Sequence, residues 1–252
     1  TDFYDEFNFF DNTKWQDQIT WVNFELQNYM CDNMFGVRDV SNSTVKIKMK
    51  NIGYDIQNCI NYNKWGTKHP PTRFVGGRIC TKNLFEAIGG RWTARIRLNY
   101  SGATGMFPAF WLLGHRNDEP PIEYAWEESV GWPLKGSTEI DIMEHYGTNG
   151  PNQFIARLIK SLGVVDNGDI DTYSYTRYDH NLSGWYDYAV EWVGNDIRIL
   201  VNGNEIVRWY GVANQFVDPM FAILNYSFNN SGSYMDGEWI MEVDWVKHET
   251  YR

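Results

Sequence analysis

Residues Ser137–Gly147 read Ser-Thr-Glu-Ile-Asp-Ile-Met-Glu-His-Tyr-Gly and place Glu139, Asp141 and Glu144 within six positions. A strand that begins Glu-Ile-Asp-Ile turns both acids to one face and both isoleucines to the other. Strict alternation would then carry Met143 to the acid face and Glu144 into the core, where an unpaired charge is expensive. A one-residue bulge near Met143 removes the conflict and returns Glu144 to the acid face. Glu139 and Glu144 then stand four ladder steps apart, about 13 Å between Cα atoms at ~3.3 Å per residue. Two glutamates leaning toward one point can close that span to the roughly 5–5.5 Å at which retaining glycosidases hold nucleophile and acid/base. One must be ionised to attack an anomeric carbon, the other protonated to donate to the leaving oxygen. Asp141 between them is placed to share a hydrogen bond and keep the two pKa values apart. Two other readings fit the same residues: a solvated acidic strand face, and a carboxylate cluster for Ca²⁺ or Mg²⁺.

The surrounding chain must supply strands, and its period is two almost throughout. In Thr44–Lys50, Val45, Ile47 and Met49 alternate with lysines; in Arg91–Tyr100, Trp92, Ala94, Ile96 and Leu98 alternate with Arg and Thr. Trp185–Val193 alternates likewise. The runs on either side of Asn202-Gly203 predict a hairpin. Gly237–His248 predicts a closing strand with Trp239, Met241, Val243 and Trp245 on one side. No helical period and no internal repeat interrupts this pattern, so the expectation is a single all-β domain over residues 1–252, a sandwich of antiparallel sheets. Two irregular segments, Asn51–Pro71 and His115–Gly136, are long enough to carry function or line a site.

Composition narrows the partners. The 252 residues carry 32 acidic and 22 basic side chains, a net charge of −10, which repels phosphate backbones and anionic lipid. No apolar run reaches the ~20 residues of a membrane helix. The 12 Trp, 16 Tyr and 14 Phe serve either a core or flat platforms for sugar rings. Cys31, Cys59 and Cys80 permit at most one internal disulfide, and neither they nor the scattered histidines have the spacing of a zinc site. Sequons occur at Asn42, Asn99, Asn181, Asn225 and Asn229. The chain opens at Thr1 without an initiator Met or signal peptide, which reads as a processed form.

The stretch Gly131-Trp-Pro-Leu-Lys-Gly-Ser-Thr-Glu-Ile-Asp-Ile-Met-Glu-His-Tyr-Gly147 resembles the signature of glycoside hydrolase family 16 in its laminarinase-like, bulged ExDxxE form. Tyr4–Asn8, Glu25–Tyr29, Gly77–Lys82, Gly90–Arg97, Pro108–Gly114, Tyr186–Trp192 and Val243–Val246 resemble further segments of that family in the same order. The resemblance implies a β-jelly roll of two curved antiparallel sheets with a concave cleft, and a retaining endo-glycanase. It makes Glu139 the nucleophile, Glu144 the acid/base and Asp141 the assisting carboxylate. Trp111 and Trp132 correspond to sugar-binding walls, Arg78 to a cleft arginine, and Asn23 and Phe107 to further substrate contacts. Some relatives hold a structural Ca²⁺ on the outer face through acids such as Glu6 and Asp244, and no catalytic cofactor is implied.

Three departures bear on specificity. Phe107 stands where laminarinase-like members usually have Trp, and the segment Lys135–Thr138 is two residues longer. The strand after the catalytic one, Phe154–Ser161, has no His, and Arg157 or Lys160 takes that side of the sheet. The function that the resemblance implies is endo-hydrolysis of β-1,3- or mixed-linkage β-1,3-1,4-glucan, against which these departures count. The alternative is an endo-β-galactosidase-type enzyme on an agar-, porphyran- or carrageenan-like polymer, a poly-lactosamine or a mucin-type glycan. A non-catalytic carbohydrate-binding jelly roll is a further alternative, against which the paired glutamates argue. A polymeric substrate implies a secreted, cell-surface or periplasmic protein, and a monomer is expected.

Overall fold

A computed structural model describes residues 1–99, 103–117, 120, 138–161, 170–229 and 236–250. Among these residues the chain forms two sheets, one of seven strands and one of ten. The seven-stranded sheet runs Ile170–Arg177, Phe154–Ser161, Thr138–Glu144, Met106–Gly114, Met220–Phe228, Arg78–Cys80 and Gln16–Asp17, all antiparallel. The ten-stranded sheet is built around Arg91–Leu98, Gly237–Glu249 and Thr44–Ile56. Its exception to antiparallel pairing is Asn28–Tyr29, which lies parallel to Thr72–Gly76. Two such sheets packed face to face make the expected β-jelly roll.

The core lies between the sheets, and alternation builds it. Val45, Ile47, Met49, Trp92, Ala94, Ile96 and Leu98 pack from one side against Phe110, Leu112, Ile140, Ile142 and Leu158 from the other. The Asn-Gly hairpin forms as predicted, joining Asp196–Val201 to Asn204–Trp209. Asn202 and Gly203 both have positive φ, 51° and 79°, the pair that a two-residue turn of matching twist requires.

Two strand expectations are corrected. The strand from Thr44 does not stop at Lys50 but continues to Ile56, so the irregular segment begins later than its composition implies. Past Lys50 the lysine alternation ends: Gly53–Asp55 are exposed, while Ile52 and Ile56 pack against a small cluster of Met30, Val37, Cys59 and Val75. In the closing strand a register shift between Val243 and Trp245 puts Val246 in the core and takes Trp245 out of it. Cys31 and Cys59 form a disulfide, and Cys80 is a buried free thiol. No helix among the described residues is long and apolar enough to cross a membrane.

Candidate active site

The three acids sit on Thr138–Glu144, the third strand of the seven-stranded sheet. Ile140, Ile142 and Met143 are all buried in the core, so the acids share the opposite face. The bulge is explicit in the register. Glu139 pairs with Leu113 and Glu144 with Ala109, so six residues of the acid strand match five of its neighbour. The other neighbour gives the same count, from Ile159 to Ile155. The shift falls between Asp141 and Met143 on one side and between Asp141 and Glu144 on the other. Gly147 closes the motif where the chain passes tight against Ala103, whose carbonyl oxygen a Cβ would overlap.

Burial governs the electrostatics. Asp141 is buried, and that burial, the charges of Glu139 and Glu144, and a hydrogen bond to Glu139 all raise its pKa well above the usual carboxylate range. Asp141 is thus the proton-bearing partner of Glu139. Glu144 is only 7 % exposed, and burial pushes it up to about 8, with Arg157 opposing and Glu139 adding to the rise. Arg157 Nε lies 3.1 Å from Glu144 Oε2. Its Nη2 donates to the Tyr146 hydroxyl at 3.2 Å. Burial works against the Arg157 charge, but Glu144 and Tyr146 outweigh it and raise its pKa. Tyr146 in turn stacks on Phe107, with ring centroids 4.3 Å apart. His145, next to Glu144 in sequence, is buried and bonded through Nδ1 to the Gln153 carbonyl, away from the acids.

These side chains open into a cleft of about 840 Å³ over the outer face of the seven-stranded sheet. Trp111 pairs in register with Asp141 and faces the cleft. Its Nε1 donates to Asn225 Oδ1 at 2.7 Å, and Asn225 Nδ2 donates to the Tyr29 hydroxyl at 3.2 Å. Arg78 lies over the Trp111 ring at 5.1 Å and donates from Nε to Gln18 Oε1 at 2.6 Å. At 1 % exposure it is a buried cation at the cleft floor. Asn225 is buried and its amide is committed, so its sequon is inaccessible in the fold.

Of the residues singled out from the sequence, Glu139, Asp141, Glu144, Trp111, Arg78, Phe107, Asn23 and Arg157 all line this one cleft. Arg157 is the residue opposite Asp141; Lys160, out of phase with it, pairs with Thr138 and does not line the cleft. Trp132 and most of the segment His115–Gly136 lie outside the described residues. Glu6 and Asp244 both act on the Tyr4 hydroxyl and so are neighbours. However, Glu6 accepts a hydrogen bond from Asn8 and Asp244 is paired with Arg95 at 3.7 Å. Among the described residues no group of three or more His, Cys, Asp or Glu is gathered for a metal ion.

Periodicity did not single out Trp21, Phe24, Tyr62, Trp65, Tyr146 or Asn225, yet all line the cleft. Four of them come from two loops that close one end of it. The segment Asn51–Pro71, singled out for its length, supplies Tyr62 and Trp65.

The family model for glycosyl hydrolases family 16 matches residues 25–247. No curated protein sequence matches the chain. Among solved structures, LamAcat from Zobellia galactanivorans is 23% identical with a TM-score of 0.75, covering 97% of this chain and 95% of its own. A Bacteroides ovatus mixed-linkage glucan family 16 enzyme in complex with a G4G4G3G product is 20% identical, TM-score 0.71, covering 97% and 98%. A third structure, from work on endo-acting O-glycanases of human gut microbiota that initiate mucin breakdown, is 20% identical, TM-score 0.74, covering 98% and 88%. At these identities the three structures establish the shared fold. The family match spans nearly the whole chain, including every strand of the acid-bearing sheet except Gln16–Asp17, and the chain belongs to glycosyl hydrolase family 16.

Proposed function

We propose that this glycoside hydrolase is a retaining endo-β-glycanase acting on β-1,3- or mixed-linkage β-1,3-1,4-glucan outside the cell, as a single-domain monomer. The observation that carries the chemistry is the split among three carboxylates on one strand face: Glu144 is raised to about 8, and Asp141 holds a proton against Glu139. At neutral pH Glu144 then keeps the proton that the first half of a double displacement must deliver to the leaving oxygen.

In the first step a Glu139 carboxylate oxygen attacks the anomeric carbon. The glycosidic C–O bond breaks as the Glu144 proton passes to the leaving oxygen. Glu144, now a carboxylate beside Arg157, takes a proton from the incoming water. The water oxygen bonds to the anomeric carbon, and Glu139 departs as carboxylate. Asp141 donates to Glu139 and holds the attacking oxygen in place. Trp111 offers a ring to a bound sugar, and Arg78 beneath it fixes that ring. Trp132 is proposed as a second wall.

The glucan assignment rests on the resemblance of the motif and on the glucan-directed neighbours. A second reading, a galactose-containing or mucin-type glycan, is favoured by Arg157 in place of the family's His and by the O-glycanase neighbour. Digestion of laminarin, barley glucan, agarose, carrageenan and poly-lactosamine by wild type and Glu139→Ser, with products sized by mass, tests both. Glucan cut by wild type and bound but uncut by the variant supports the first. Cutting only a galactose-based polymer supports the second. Binding without cutting on any polymer refutes both and favours a binding module.

A further inference from the structure

Two loops meet at the end of the cleft nearest Arg78–Cys80 and Gln16–Asp17. One is Ile19–Glu25; the other is a small hairpin closed by the pairing of Tyr62 with Lys68. They are tied by a hydrogen bond from Trp21 N to the Tyr62 carbonyl at 3.0 Å. Each loop presents aromatic rings to water. Trp65 is 68% exposed and Phe24 56%, and the two rings lie 18° from parallel with centroids 6.0 Å apart. Tyr62, also more than half exposed, stands at the base of the hairpin. Exposing large rings at the rim of a cleft forgoes their burial, so the rings call for a reason.

The backbone of the first loop is strained. Asn23 and Phe24 both adopt left-handed φ, 53° and 51°, a conformation that costs a bulky residue about 1 kcal/mol or more and persists where the surroundings over-determine it. Here they do. Trp21 packs edge-on to Phe24 and against His69, and its Nε1 donates to the Glu25 carbonyl at 3.0 Å. His69 Nε2 lies 2.9 Å from the same carbonyl. Trp65 is held equally well: Asn63 Oδ1 accepts from both the Trp65 and the Thr67 amides. Lys64 places its ammonium 4.9 Å from the Trp65 ring centroid. The result is two fixed, flat, apolar faces set among Asn23, Asn63 and Lys64.

That chemistry fits a pyranose ring, whose C–H face is apolar and whose rim is hydroxyl. It suits a second protein poorly, because two rings bordered by polar side chains fall short of the contiguous apolar core of a protein interface. We infer that Phe24 and Trp65 form a distal stacking platform that binds a sugar unit of an extended glycan chain beyond the residues that embrace the bond being cut. The inference rests on the glycanase reading and deepens it. The platform makes the enzyme select long chains, because a short oligosaccharide that spans the acids does not reach it.

The test uses Trp65→Ala and Phe24→Ala in the full chain. Binding is measured calorimetrically in the Glu139→Ser background, with short and long oligosaccharides from whichever polymer wild type cuts, laminarin first. Each lost ring is expected to weaken the long oligosaccharide about tenfold, equivalent to ~1.4 kcal/mol, and the short one far less. KM for the polymer rises with little change in kcat, and Trp65→Phe restores part of the loss. Equal weakening at all lengths, or no weakening at any, overturns the platform. So does a change in sedimentation showing that the rings hold two copies together. Because both rings are exposed, unfolding midpoints should match wild type, and a fall in both variants would assign the rings a structural role instead. Failure of wild type to cut any polymer overturns the underlying reading and is seen before any variant is made.

Discussion

Replacing Glu144 with Gln removes one titrating proton and almost nothing else, and the effect on stability can be worked from the site. An ordinary glutamate near 4.5 is raised here to about 8, with burial the main cause. Between those pH values the folded protein keeps the proton and the unfolded chain does not. The sign follows from linkage: a group whose folded pKa is raised contributes fully below the unfolded value, and that contribution is lost as pH rises through the folded one. Wild type therefore loses up to ~1.4 kcal/mol per pH unit from this group alone across that window. The total is about 3 to 5 kcal/mol by pH 8, which sets an order of magnitude. The Glu144→Gln variant, with no proton to lose at this position, is spared that decline. Urea unfolding of wild type and Glu144→Gln at several pH values from 4.5 to 9 should give curves that nearly agree at the acid end. The variant should then become progressively more stable than wild type, with the gap levelling off above pH 8. A gap that is constant across the range would mean that Glu144 is already ionised in the fold at neutral pH. It could not then be the acid of the first step, whatever the activity of the variant.

Other consequences are open to the same kind of measurement. Arg157→Met removes the cation that holds Glu144 down, so the basic limb of kcat/KM against pH should move upward; an unmoved limb would separate Arg157 from the acid. Asn225→Ala leaves the Trp111 indole and the Tyr29 hydroxyl without their shared partner and should cost about 2 kcal/mol in urea unfolding while raising KM. Replacing Cys31 and Cys59 with Ala opens a loop whose ends are 28 residues apart and should lower stability by about 3 to 4 kcal/mol.

What could be read in the sequence was whatever one half-wet sheet imposes on its strands. Val45, Ile47 and Met49 were legible because lysines alternate with them; Met220–Phe228 carries no such signal because it is buried on both faces from end to end. The acid strand announced its own bulge, since Glu144 could not be left in the core. The closing strand gave no such warning: its bulge exchanges Trp245 for Val246, and both are apolar. The cleft floor was foreseen through motif positions, although Arg78 is far more buried than its charge leads one to expect. The aromatic rim was missed because Phe24 and Trp65 belong to loops without a period, where a ring offered to water and a ring bound for the core look alike.

The bulge has a consequence for how the acid strand tolerates change in length. Because Glu139 to Glu144 already spans four steps of both neighbouring strands, excising Met143 would yield Glu-Ile-Asp-Ile-Glu, a plain alternating strand with its outer acids the same four steps apart. The deletion would restore two regular ladders and empty one methionine's volume from the core. The carboxylate spacing is thus insensitive to one codon at this point, whereas a deletion anywhere between Glu139 and Asp141 would turn one of the acids inward. Insertion and deletion along this strand are in that sense unequal events, and the site of the bulge is the place where the chain can gain or lose a residue and keep its acids in line.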